Sequence, residues 1–141
     1  FGLGEDHHLA ISVESFSYKR GLPRGVDMVF DMRFLANPHW VPSLRGKTGL
    51  SADVAAYVSA DPRYADAFGR IAGLVESLIP AFKDEGKSYL SIAFGCTGGQ
   101  HRSVAVAESL AQTLAAGGWQ VSTRHRELER RTGIPRPTEM G

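Results

Sequence analysis

The chain of 141 residues contains one cysteine, Cys96. No disulfide can close within it, and an intracellular, reducing setting is the expectation. No run of roughly 18 apolar residues exists, which excludes a helical membrane span. The start, Phe1-Gly2-Leu3-Gly4-Glu5-Asp6-His7-His8, lacks the basic and apolar regions of a secretion signal. It also lacks an initiator methionine, so a piece of a longer protein is expected. An excess of charge is missing too: the net charge is +1, and no global basic field advertises nucleic acid. No repeat or low-complexity tract appears.

What is present suits one globular domain, since 43% of residues are hydrophobic and 22% charged. Residues 9–133 are the expected domain. Residues 1–8 read as a disordered linker or tag remnant, and 134–141 as a disordered tail. Between Lys19 and Lys47, six Lys or Arg residues face only Asp27 and Asp31. From Asp53 to Lys87 acids outnumber bases by six to four, and Arg124, Arg126, Arg130 and Arg131 return the cations near the end. Two cationic regions in a nearly neutral chain point to an anionic partner.

Hydrophobic patterning predicts strands over residues 9–16, 26–32, 88–94 and 119–123. A long loop over 33–49 carries Asn37-Pro38-His39-Trp40, and loops of that length are functional or disordered. Ser51 reads as the cap of a short helix to about Ala60. Asp61-Pro62 reads as the cap and first residue of another. The spacing of Tyr64, Phe68, Ile71, Val75, Leu78 and Phe82 predicts an amphipathic helix. Pro80 should kink it or end it early, because proline removes a backbone donor. Residues 124–131 read as a polar extension or short helix. Strands separated by helices imply an α/β domain with a small, mostly parallel sheet of about four strands. Ligands of such sheets bind beyond the carboxyl ends of the strands.

The third strand runs into Gly95-Cys96-Thr97-Gly98-Gly99-Gln100-His101-Arg102-Ser103, and a helical pattern to about Ala116 follows. A glycine-rich turn between strand and helix exposes backbone N–H groups with the positive end of a helix dipole behind them. Arg102 and His101 add a cation and a titratable donor. The expectation is an oxyanion pocket for a phosphate group. Lys19, Asp31, Arg33 and His39, at the ends of the other strands, are its candidate neighbours. Asp31 either receives a sugar hydroxyl or amine, or pairs with Arg33 or Lys19. His39 is a hydrogen-bonding group of the pocket or an ordinary loop histidine.

Gly46-Lys47-Thr48 is not a nucleotide loop, because Val41 stands where the first glycine belongs. Cys96, five residues, then Arg102-Ser103 fits the signature of cysteine-dependent phosphatases. A thiolate at a helix N-terminus beside Arg102 and His101 would be nucleophilic. Gly95 replaces the usual preceding histidine, however, and no aspartate stands at a recognisable general-acid spacing. Binding without turnover is the preferred reading and no catalytic residue is assigned. No tight His/Cys spacing supports a metal site. The tail arginines lack any RNA-binding signature and read by default as a solvated helix face.

The motifs Phe16-Ser17-Tyr18-Lys19-Arg20-Gly21-Leu22-Pro23, Val29-Phe30-Asp31-Met32-Arg33-Phe34-Leu35-Ala36-Asn37-Pro38-His39-Trp40 and Gly86-Lys87-Ser88-Tyr89-Leu90 recur in this order with the Gly95–Ser103 loop and Arg124-His125-Arg126. Together they resemble the C-terminal domain of the RapZ, or RNase adapter, family over roughly residues 16–131. The resemblance implies a cytoplasmic bacterial regulator rather than an enzyme. Its nucleotide-binding P-loop would lie in an N-terminal domain outside this chain, so no cofactor is expected here. It implies glucosamine-6-phosphate as ligand of Asp31, Arg33, His39, Cys96, Thr97, Gly98, Gly99, Gln100, His101 and Arg102. It further implies small regulatory RNA on Lys19, Arg20, Arg124, Arg126, Arg130 and Arg131, delivery of that RNA to RNase E, and a homo-oligomer. The family's dense basic tail is thinner here, where Arg130-Arg131 gives way to Thr132-Gly133.

Overall fold

A computed structural model describes residues 8–132. Residues 1–7 of the linker expected over 1–8, and the tail expected over 134–141, lie outside the described residues. Four strands, β1 (Ala10–Ser17), β2 (Met28–Asp31), β3 (Tyr89–Cys96) and β4 (Gln120–His125), form one sheet in the order β2-β3-β1-β4. All three pairings are parallel, so the expected mostly parallel sheet is wholly so. The helices are α1 (Pro42–Arg45), α2 (Ala52–Ser59), α3 (Tyr64–Asp84), α4 (Arg102–Ala116) and α5 (Arg126–Thr132). Among the described residues no helix is long and apolar enough to cross a membrane.

Register explains where the core lies. Ile11 pairs with Leu90, Val13 with Ile92 and Ser15 with Phe94, so these side chains share one face of the sheet. Val54 and Val58 of α2, Val75 and Ile79 of α3, and Val106, Leu110 and Leu114 of α4 pack with them as one apolar cluster. The other face carries Ser12, Glu14 and Ser91, which are also buried. There the Ser91 hydroxyl donates to Glu14 Oε2 at 3.2 Å, and Arg126 of α5 pairs with Glu14 Oε1.

Several sequence expectations are corrected. Pro80 neither ends α3 nor prevents another turn, for the helix reaches Asp84. A proline inside a helix costs about 3 kcal/mol. Full burial of Ile79 offsets about 1.5–3 kcal/mol of that, and Phe82 packs against the same cluster. The long loop contains a 3-10 turn, Pro38–Trp40, and the short α1. Helix α3 begins at Tyr64 rather than Pro62, because Asp61 closes the preceding turn: its carboxylate accepts from the amides of Ala36 (2.7 Å) and Arg63 (2.9 Å). Ser51 precedes α2 but donates to Asp53 Oδ1 instead of capping an amide. Strand β2 starts at Met28, two residues late, and β4 extends to His125, where α5 follows directly.

Candidate functional site

The strand register aligns the carboxyl ends of three strands. Ser17 lies beside Cys96, and Asp31 beside Gly95. Above them opens a cleft of about 470 Å³, lined by Lys19, Asn37, His39, Trp40, Arg45, Cys96, Thr97, Gly98, Gln100, His101 and Arg102. Among the described residues three permanent cations and two histidines line it, and no carboxylate does.

Two carbonyls of the loop from Cys96 to His101, those of Thr97 and Gln100, turn into the protein. The Ser17 hydroxyl donates to Thr97 O at 2.6 Å, and the Gly49 amide donates to Gln100 O at 2.8 Å. The amides of Gly98, Gly99 and Gln100 find no acceptor among the described residues. Gly99 turns the chain with φ +69°, and a Cβ there would lie 2.8 Å from Ser17 N and 2.9 Å from the Phe16 carbonyl carbon. Gly49 touches the start of α4 so closely that a Cβ would strike His101 O and Ala105 N. Ser17 also accepts from the Lys19 amide at 3.2 Å, so one hydroxyl ties Lys19 to the loop.

Arg102 is the first residue of α4 and only 5% exposed. Its Nη1 donates to Arg33 O (2.7 Å) and Leu35 O (3.2 Å), and Nη2 reaches Thr97 Oγ1 at 3.5 Å. Its Nε is buried with no partner among the described residues, and Arg102 has no ion pair within 4.0 Å there. A buried guanidinium without an anion is costly and calls for one. Cys96 Sγ lies 3.1 Å from the Ser103 hydroxyl and accepts from the Ser103 amide at 3.4 Å. His101 Nε2 lies 3.2 Å from Arg45 O. Burial lowers its pKa below the ordinary 6.5, and His39 and Arg102 push the same way.

Of the residues assigned to the phosphosugar, the structure places His39, Cys96, Thr97, Gly98, Gln100, His101 and Arg102 in the lining of one cleft. Gly99 shapes the turn from beneath, packed against Ser17. Asp31 and Arg33 stand outside the cleft lining and hold each other, with Nη2–Oδ2 at 2.6 Å and Nε–Oδ1 at 2.9 Å. Hydrogen bonding from Arg33 lowers the Asp31 pKa, and the Arg33 guanidinium stacks 3.9 Å from the Tyr18 ring centroid. Of the two sequence readings of Asp31, the ion pair is the observed one. Arg33 meets the cleft through its carbonyl, on Arg102.

The expected RNA cations divide. Arg20 and Arg130 both pair with Glu127, Arg124 with Glu129 and Arg126 with Glu14. Lys19 lines the cleft, and Arg131 donates to Gln100 Oε1 at 3.0 Å. Lys47 of the discounted Gly46-Lys47-Thr48 pairs with Asp53, whose carboxyl it holds at about 2. Among the described residues no three His, Cys, Asp or Glu side chains are placed to hold a metal ion. Asn37, Trp40 and Arg45 line the cleft without having been assigned to it. The first two lay in a visible motif, but Arg45 gave no signal, because only the fold of α1 turns it toward the loop.

Comparison with known proteins agrees with this anatomy. The family described as RapZ C-terminal domain matches residues 9–129. A protein of Ruegeria pomeroyi named as a nucleotide-binding protein is 66% identical over 129 residues, covering 92% of this chain and 45% of that protein. One of Cereibacter sphaeroides strain KD131 with the same description is 60% identical over all 141 residues, covering 47% of its own length. One of Dinoroseobacter shibae is 61% identical over 132 residues, or 94% of this chain and 44% of that protein. The chain spans about half the length of the curated relatives it matches.

Proposed function

This chain belongs to the RapZ C-terminal domain family, and from that premise we propose that it is a regulatory, non-catalytic domain whose cleft binds an amino-sugar phosphate, glucosamine-6-phosphate. The phosphate sits on the amides of Gly98 to Gln100 with Arg102 beneath it, while His39, Asn37 and His101 meet the sugar. The observation that carries this reading is the buried Arg102 guanidinium, which has an orphaned Nε and no carboxylate partner in a cleft lined by cations. A dianion supplies the missing acceptor and charge. Asp31 and Arg33, allotted to the ligand by resemblance, contribute as a rigid pair that shapes the loop behind Arg102.

Isothermal titration with glucosamine-6-phosphate tests the proposal. A charge-assisted hydrogen bond contributes about 1.5–3 kcal/mol, so Arg102→Ala weakens binding about tenfold or more. A folded Arg102→Ala protein that binds as tightly as wild type excludes this site. The relatives' names speak of nucleotide binding. We assign that property to the half of those proteins that this chain does not cover, because Lys47 pairs with Asp53 and follows no strand.

Two other readings have specific support. Ser103 hydrogen-bonds Cys96 through both hydroxyl and amide, contacts that would also suit a nucleophilic sulfur. Against turnover, no carboxylate among the described residues lines the cleft to protonate a leaving group. Release of phosphate from an aryl phosphate, abolished by Cys96→Ser, decides for the enzyme. Small-RNA binding, with delivery to RNase E and self-association, is what the resemblance to the family implies, and it is supported by Lys19 in the cleft wall and by Arg131 on the Gln100 side chain. A phosphate of the RNA would then meet the same loop amides. A gel-shift midpoint indifferent to salt contradicts it, since phosphate contacts release counterions.

A further inference from the structure

Trp40 is 73% exposed, the most exposed of the large apolar side chains among the described residues. Single exposed apolar residues are ordinary on protein surfaces. Trp40 differs in its setting, for it forms part of the wall of the cationic cleft. Its backbone is braced on both sides. The Trp40 amide donates to Asn37 O at 3.2 Å, the Asn37 side chain accepts from the His39 amide at 3.1 Å, and Arg45 Nε donates to His39 O at 2.7 Å. The His39 ring meets the indole edge to face, with centroids 5.0 Å apart and planes at 80°. A rigid turn therefore presents an open indole beside polar groups that suit a phosphate.

We propose that Trp40 is the platform on which the sugar ring of the bound phosphosugar stacks, making it the residue that distinguishes a sugar phosphate from bare phosphate. This rests on the reading that the cleft binds a phosphosugar. Loop amides and Arg102 recognise only the phosphate, and the remaining cleft residues offer polar contacts to hydroxyl groups. A hexose also has a face of C–H bonds, which needs an apolar surface. Among the cleft residues Trp40 alone supplies a large, flat one. The same surface would accept a nucleobase, so the test separates the two.

Calorimetric titrations of wild type, Trp40→Ala and Trp40→Phe with glucosamine-6-phosphate, inorganic phosphate and adenosine monophosphate carry that test. Trp40→Ala weakens the sugar phosphate about tenfold and leaves inorganic phosphate within about twofold, while Trp40→Phe recovers most of the loss. The chain has two tryptophans. In a Trp119→Phe protein, Trp40 emission therefore responds to glucosamine-6-phosphate and not to phosphate. Unchanged sugar-phosphate affinity in Trp40→Ala overturns the platform and leaves the phosphosugar cleft standing. Stronger Trp40 dependence for adenosine monophosphate than for the sugar phosphate overturns the sugar assignment. Wild type that binds none of the three overturns both readings at once.

Discussion

A few side chains around the anion loop carry most of the consequences at the residue scale. Gly99 was visible in the sequence as part of a glycine-rich turn, yet its reason is tertiary: Phe16 and Ser17 lie where a Cβ would go. Gly99→Ala combines left-handed backbone strain with overpacking, and should cost about 1–3 kcal/mol in a denaturant melt. His101 sets a pH dependence. Burial holds its folded pKa below 6.5, so the unfolded chain takes up the proton first as pH falls. Its contribution to stability is complete above pH 6.5 and declines as pH drops toward the folded value. The stability difference between wild type and His101→Gln should therefore shrink between pH 7.5 and 5, as urea titrations across that range would record. A difference constant over that range would contradict the assignment. The spacing of Arg102 to Cys96 marks it as a candidate anion ligand in the sequence. Its bonds to Arg33 O and Leu35 O are not legible there, because backbone acceptors leave no mark on residue type.

Among the elements, the ends of strands and helices are tied by polar chains that cross the fold. Ser15 of β1 lies 2.7 Å from His125 Nδ1 of β4, and His125 Nε2 lies 2.6 Å from Glu108 Oε2 of α4. Ser15 is fully buried, so this chain acts as a lock between three elements rather than as a reactive centre. Ser15→Ala removes one partner from a buried hydrogen bond and should lower stability by about 1 kcal/mol, measurable by thermal unfolding, with ligand affinity unchanged. Periodicity revealed α3 and α4 because their apolar stripes face a single core. It gave wrong limits at Pro80 and Pro62, where the packing of Ile79 and Phe82, and the amides collected by Asp61, override local preference. The Pro38–Trp40 turn and α1 escaped notice since neither is long enough to show a period.

For the whole molecule, strand order matters most. By placing β3 between β2 and β1, the sheet brings loops far apart in the sequence, from Lys19 to Arg102, around one cleft. Binding there acts on the global folding equilibrium. At a hundredfold excess over its Kd, a ligand of the native state adds about 2.7 kcal/mol. Glucosamine-6-phosphate should therefore raise the melting temperature of wild type clearly more than that of Arg102→Ala, as differential scanning calorimetry would record. The class of fold and its parallel sheet were determined by the alternation of strands and helices along the sequence, and the glycine-rich loop and its helix by neighbours within a few residues. The partners of the cations were decided only by tertiary structure. Arg20, Arg124, Arg126 and Arg130 look free in the sequence and meet carboxylates in space, whereas Arg102, Lys19 and Arg45 converge on a cleft that no carboxylate of the described residues lines. Composition counts charges, but an electrostatic field depends on which of them folding leaves uncompensated.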